Sequence, residues 1–193
     1  FFVFDNNTIY LNNAYMFTSG MIIPVAVSAD QIVIASSEHY LNPYTCTTPT
    51  GQNITSMLEA QLVYNLYKMN FTEIQKCDCG SSTTIDPNYP SRIIREPTFK
   101  PSLKFLIQRM EQEMNEMVQE EEKNERESKP AVFSRVNLDQ FNYVIETNSN
   151  EETDNLYHPD PAVYARLVYN IIVETGIINK VMVQSTDYRF LQY

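Results

Sequence analysis

Apolar and polar positions alternate quickly in the first third of the chain. "FFVF", "TIYL", "MIIPVAV" and "QIVIA" are short runs rich in β-branched and aromatic residues, broken by Asn, Ser, Gly and Asp, and this pattern predicts short strands. Met21 to Val27 and Ile32 to Ala35 flank a polar corner at Ser28, Ala29 and Asp30, which predicts a β-hairpin or two adjacent strands. Pro24 has no N–H to give to a ladder, so the run that contains it is expected at a sheet edge or a bulge. Residues 42–53, "NPYTCTTPTGQN", are a loop full of breakers.

The period then changes. In "NITSMLEAQLVYNLYKM" the residues Ile54, Leu58, Leu62 and Leu66 recur at helical spacing, and Ser56 with Glu59 has the form of a capping box. Residues 80–90 read as turn and loop. A longer helix opens at Pro101, which a first turn allows. Along it Leu103, Ile107, Met110, Met114 and Met117 step by about 4, 3, 4 and 3, a heptad-type seam. That seam has two readings: a helix laid on its own domain, or a Met-rich stripe that meets another subunit. Beyond it "AVFSRV" and "QFNYVIE" read as strands. Asp160 and Pro161 open a further helix with Tyr164, Leu167, Val168 and Ile171 on one stripe and Gly176 past its end. "IINKVMV" closes the chain as a strand. The order predicts an α+β fold: one mixed domain over 1–193, with short, mainly antiparallel strands and three main helices, and with 101–129 as a long acidic helix that can project from the body.

Composition narrows the function. The formal charge of −10 argues against a direct nucleic-acid surface, which needs clustered Lys and Arg. With only 4 Gly and no phosphate-cradling glycine motif, no nucleotide cofactor is expected. No apolar run reaches the roughly 18–20 residues that cross a bilayer, so no membrane insertion is expected. Cys46, Cys77 and Cys79 are an odd number, and the Cys77–Cys79 pair lacks the second pair of a tetrahedral metal site, so no metal is expected there. Those two thiols read first as buried or idle, with intermolecular bonds through Cys77 or Cys79 as the alternative. Asn6, Asn53 and Asn70 each begin an N-x-[ST] sequon, the acceptor sequence for N-glycosylation. Glu38 and His39 stand as an isolated acid and base, expected on a surface loop. No serine sits in a nucleophile elbow, and the expectation from the residues is a scaffold or binding protein, not an enzyme.

Residues 12–41, "NNAYMFTSGMIIPVAVSADQIVIASSEHYL", and 53–67, "NITSMLEAQLVYNLY", resemble the early region of the major capsid protein of baculoviruses and nudiviruses. Weaker echoes occur in "SLKFLIQRM" and in "NYVIETNSNEETDNLYHPDPAVYARL". The resemblance implies a capsid subunit of a rod-shaped double-stranded DNA virus, assembling in the host nucleus into a tubular nucleocapsid of the virion. It implies as partners further copies of the chain in a dimer-based assembly, other nucleocapsid proteins, and genomic DNA reached through a basic packaging protein. Leu103, Ile107, Met110, Met114 and Met117 are then the candidate interface. The alternative is a secreted or virion-surface glycoprotein that binds a receptor, which the three sequons favour. A hydrolase has only generic carboxylates behind it.

Overall fold

The computed structural model describes residues 21–87, 96–126 and 142–193. The strands β1 (Met21–Val27), β2 (Val33–Ala35), β3 (Tyr143–Thr147) and β4 (Val181–Ser185) form one sheet in the order β2-β1-β3-β4. The helices are α1 (Met57–Leu62), α2 (Phe71–Ile74), α3 (Leu103–Arg126) and α4 (Pro161–Thr175). This is a mixed α+β domain, as the order of segments predicts. Within it the pairing differs from expectation: β1–β2 is antiparallel, but β1–β3 and β3–β4 are parallel. Parallel neighbours need a crossover, and α4 between β3 and β4 supplies one. The expected strands "FFVF", "TIYL" and "AVFSRV" lie outside the described residues.

β1 is a central strand in spite of Pro24. The Ser36 N–H donates to the Pro24 carbonyl at 2.9 Å, so the nitrogen of Pro24 also faces the β2 side. There β2 ends at Ala35, and the missing donor falls where the ladder stops. The corner between the two strands is the predicted polar one: the Ser28 hydroxyl donates to Asp30 at 2.6 Å, the Ile32 N–H donates back to Ser28 Oγ at 3.0 Å, and Gln31 takes the left-handed conformation with φ 62°.

Two apolar clusters divide the molecule. The first is layered: Met21, Ile23, Val25, Tyr143 and Ile145 of the sheet pack against Leu103, Leu106, Ile107, Met110 and Met114 of α3 and Tyr164, Val168 and Ile172 of α4. The heptad seam thus faces the chain's own sheet. Leu103, Ile107 and Met110 are fully buried and Met114 is 3% exposed, so these four positions are consumed by the core and are not a free interface. The side chain of Met117 lies outside the described residues. α4 is built as its termini predict: Asp160 accepts from the N–H groups of Ala162 and Val163, and Gly176 ends the helix at φ 73°.

The second cluster, which we call the cap, gathers Ala26, Ile34, Leu41, Cys46, Ile54, Ala60, Leu66, Met69, Ile74 and Cys77. Ala26 and Ile34 come from β1 and β2, Ala60 and Ile74 from the short helices α1 and α2, and the rest from loops and turns. The single helix predicted over 53–69 is broken here. Ser56 does cap its start, accepting from the Glu59 N–H at 3.1 Å, but α1 ends at Leu62. Beyond it the backbone is taken by other partners: the Leu41 N–H donates to the Tyr64 carbonyl and the Leu66 N–H to the His39 carbonyl, while Asn65, fully buried, donates to the Leu156 carbonyl at 2.9 Å. Tertiary bonds override the helical period, and Leu58 is left 65% exposed. A disulfide joins Cys46 to Cys79, and Cys77 is a buried free thiol. Cys79 is therefore not an intermolecular thiol. Gly80 sits against residues 96–98, where a Cβ would run into the Glu96 carbonyl.

Candidate active site

Ligands of parallel sheets bind beyond the carboxyl ends of the strands, where loops carry polar groups that the core cannot hold. The register places Val25, Thr147 and Ser185 side by side at that end. The chain continues from β3 as Asn148 and Ser149, and the Asn148 carbonyl is 2.7 Å from His39 Nε2, 109 residues away in sequence. His39 belongs to the segment that leaves β2 for the cap. This point is therefore a seam between the layered core and the cap.

Three buried side-chain atoms here have no hydrogen-bond partner among the described residues: His39 Nδ1, Thr147 Oγ1 and Ser149 Oγ. Buried polar groups are nearly always paired, and leaving one unpaired costs about 1–3 kcal/mol, so three in one neighbourhood call for a functional account. A carbonyl only accepts, so the proton of His39 sits on Nε2 and the lone pair on Nδ1. Burial lowers the pKa of His39, with the Asn148 carbonyl opposing and the nearby His158 assisting. The imidazole is neutral at pH 7 and its Nδ1 is a base.

A second ring lies behind the first. His158 is fully buried, with its ring centroid 5.8 Å from His39 and 6.0 Å from Tyr164. Its Nδ1 is 2.8 Å from the Pro159 carbonyl and must donate to it; its Nε2 is 2.8 Å from the Thr153 hydroxyl. Tyr164 donates to the Val25 carbonyl at 2.8 Å, and burial pushes its phenol well above the usual range. Arg189 closes the group. It forks onto Asp154 at 2.8 and 3.1 Å and reaches Asp187 at 2.6 Å. The Arg189 hydrogen bonds hold the Asp187 carboxyl below its ordinary value.

Glu146 stands one residue before Thr147 on the opposite face of β3, flanked in register by Pro24 and Gln184. That face is half-exposed at Val144 and Glu146 and open at Ile22 and Met182. Glu38, expected on a surface loop with His39, accepts from Asn42 at 2.7 Å. Close by, the Lys100 ammonium donates to Ser36 Oγ at 2.9 Å, and burial lowers its pKa against the opposing pull of Glu38 and Cys77. Burial, with the Glu73 carboxylate, pushes the Cys77 thiol up to about 11, so it is no nucleophile at neutral pH. A groove of about 580 Å³ runs between α3 and the end of α4, lined by Gln108, Glu111, Gln112, Asn115 and Glu116 among others. It holds amides and carboxylates and lies by the amino ends of β3 and β4, where Glu111 accepts from Tyr143 and Lys180. Among the described residues no group of three or more His, Cys, Asp or Glu could hold a metal ion, and no helix is long and apolar enough to cross a membrane.

Sequence comparison adds nothing, since no family model and no curated protein matches the chain. The fold does match solved structures. One is a protein assigned as a glycerophosphoryl diester phosphodiesterase from Silicibacter pomeroyi DSS-3, with a TM-score of 0.63 at 14% identity, over 89% of this chain and 49% of that one. Another is a glycerophosphodiester phosphodiesterase from Parabacteroides distasonis ATCC 8503, with a TM-score of 0.50 at 8% identity, over 91% and 47%. The chain spans about half the length of the solved structures that it matches.

This likeness is one of fold, and it corrects the earlier expectations. The resemblance to baculovirus and nudivirus capsid proteins rested on the order and character of segments. The architecture those segments build is shared with cellular phosphodiesterases instead. The capsid role, the virion and nuclear location and the non-enzymatic reading fall with it. The receptor-binding glycoprotein gains no support either. The physical reason is that strand runs and an amphipathic helix are generic. They specify a buried layer, not what the layer carries.

Proposed function

We propose that this chain is part of a hydrolase that cleaves phosphodiesters of the glycerophosphodiester class, with its reaction centre at the carboxyl ends of β1, β3 and β4. One observation carries the reading: the neutral His39 base and the hydroxyls of Thr147 and Ser149, buried and unpartnered, meet at the end of a parallel sheet where such folds bind ligands. Cleavage by water requires a base that takes a proton as oxygen attacks phosphorus, and His39 Nδ1 has a lone pair for that role, which the lowered pKa of the ring leaves unprotonated. The two hydroxyls can donate to phosphoryl oxygens. Arg189 is already committed to two carboxylates. It orders the loop 154–158 that places His158, and does not serve as a free phosphate clamp.

Glu146 extends the site onto the open face of the sheet, one residue from Thr147. A carboxylate there suits the handling of the alcohol that leaves or of the water that enters. The test is release of glycerol phosphate from glycerophosphocholine by the purified protein, compared with His39→Ala and Glu146→Gln. The reading expects turnover in the parent and a loss of 100-fold or more in His39→Ala, about the worth of a general base. Turnover equal in the parent and in His39→Ala would overturn it.

A further inference from the structure

The cap carries two features that phosphodiester chemistry does not use. One is the disulfide between Cys46 and Cys79. The other is the pair of sequons Asn53-Ile54-Thr55 and Asn70-Phe71-Thr72, which stand on either side of α1. Intramolecular disulfides form and persist in oxidising compartments, where N-linked glycosylation also takes place. The structure adds a geometric condition that a sequon alone does not meet. Asn53, Thr55, Asn70 and Thr72 are all exposed, although Ile54 between the first two is buried in the cap. Asn53 lies at the end of the breaker-rich loop, bridged to Thr47, and Asn70 opens α2 as its N-cap. A large polar substituent on either amide therefore points to water and displaces no core contact.

The surface between them strengthens the case. Leu58 and Leu62 of α1 and its C-cap Val63 are exposed by more than half, an apolar face at a helix of six residues. Oligosaccharides on the flanking segments would keep such a face from associating.

We propose that Asn53 and Asn70 are N-glycosylated, and that the protein matures where disulfides form. The modification joins each Asn Nδ2 to the anomeric carbon of an oligosaccharide supplied on a lipid diphosphate. The new C–N bond forms as the anomeric C–O bond breaks, the diphosphate leaves with the electron pair, and the amide gives up one proton. The experiment is peptide mapping of the protein isolated from its own cells, without reduction, after peptide N-glycosidase treatment in heavy-oxygen water. Asn53 and Asn70 are expected as labelled Asp, in protein that also yields the cross-linked Cys46–Cys79 peptide. Asn53→Gln and Asn70→Gln, each made in those cells, should each remove one glycan from the intact mass and leave the fold unchanged. Either asparagine recovered unmodified from disulfide-bonded protein overturns the assignment at that residue, and both unmodified overturn it altogether.

Discussion

The layered core and the cap reach comparable burial by different means. In the core, β1, β3, α3 and α4 meet through side chains spaced at periods of two and of 3.6, so the packing is written into the local pattern. In the cap, residues 36–80 hold no strand beyond single bridges, α-helices of only six and four residues, and a single 3-10 turn at Leu66–Lys68. Its order comes from a disulfide and from polar hubs. Asp78 shows this best: it accepts from the N–H groups of Gly80 at 2.8 Å, Thr98 at 3.1 Å and Ser81 at 3.2 Å, and from the Ser81 hydroxyl. Burial works to raise its pKa, but the Ser81 hydroxyl and these amides outweigh that and hold it low. One region is stabilised by apolar periodicity and the other by cross-links, and the candidate site lies where they join.

By that contrast, Met110→Glu does the most damage. Met110 is fully buried in the core, and an unpaired carboxylate there costs on the order of 5 kcal/mol, comparable with the whole stability of a small domain. Far-ultraviolet circular dichroism should show an unfolded protein. A folded variant with an altered oligomeric state would return the α3 seam to an interface.

The cap should fail in a different way. Cys46→Ser opens a loop of sequence separation 33, worth about 4 kcal/mol in the chain-entropy account. Hydrogen exchange should then speed up at Leu41, Cys46 and Ile74 far more than at Ile23 and Ile145. Equal acceleration in both regions would mean that they are one cooperative unit.

Much of the core was legible beforehand. The Ser28–Asp30 corner, the β3 and β4 strands and the Asp160, Pro161 and Gly176 signals around α4 all follow local chemistry that the structure keeps. Parallel pairing was not legible, because period-two alternation is the same in either direction. The cap was illegible for a related reason: Asn65 and Tyr64 break the predicted helix by bonding to Leu156 and Leu41, and no local window contains those partners. The same holds for the site. His39 was visible only as an isolated base beside Glu38, and nothing local marked Thr147 or Ser149, until the fold brought residues 39 and 148 together.

Smaller effects sharpen the account of each region. Asp160→Ala removes the side-chain cap of α4 and should cost about 1 kcal/mol, read as a shift in the denaturant midpoint. The effect of pH belongs to the seam. Burial lowers the pKa of His39 in the folded state from its ordinary value of 6.5, so below that value the unfolded chain binds more protons than the folded one. Its contribution to stability is present above pH 6.5 and is lost as pH falls through the folded pKa. His39→Gln should flatten the decline of the unfolding midpoint between about pH 7 and 5. An unchanged slope would show that His39 titrates as freely when folded as when unfolded.

Binding of a phosphodiester at the seam is open to one direct measurement because the chain has only 2 His. In ring-labelled protein each imidazole gives its own set of nuclear magnetic resonance signals, and both rings lie at the proposed site, 5.8 Å apart. Titration with glycerophosphocholine at neutral pH should move the His39 signals saturably, with a smaller change at His158. The amides of Asn148 and Ser149 should follow the same isotherm. Saturable binding that leaves both imidazoles and those amides unmoved, and instead shifts residues of the groove between α3 and α4, would contradict the account.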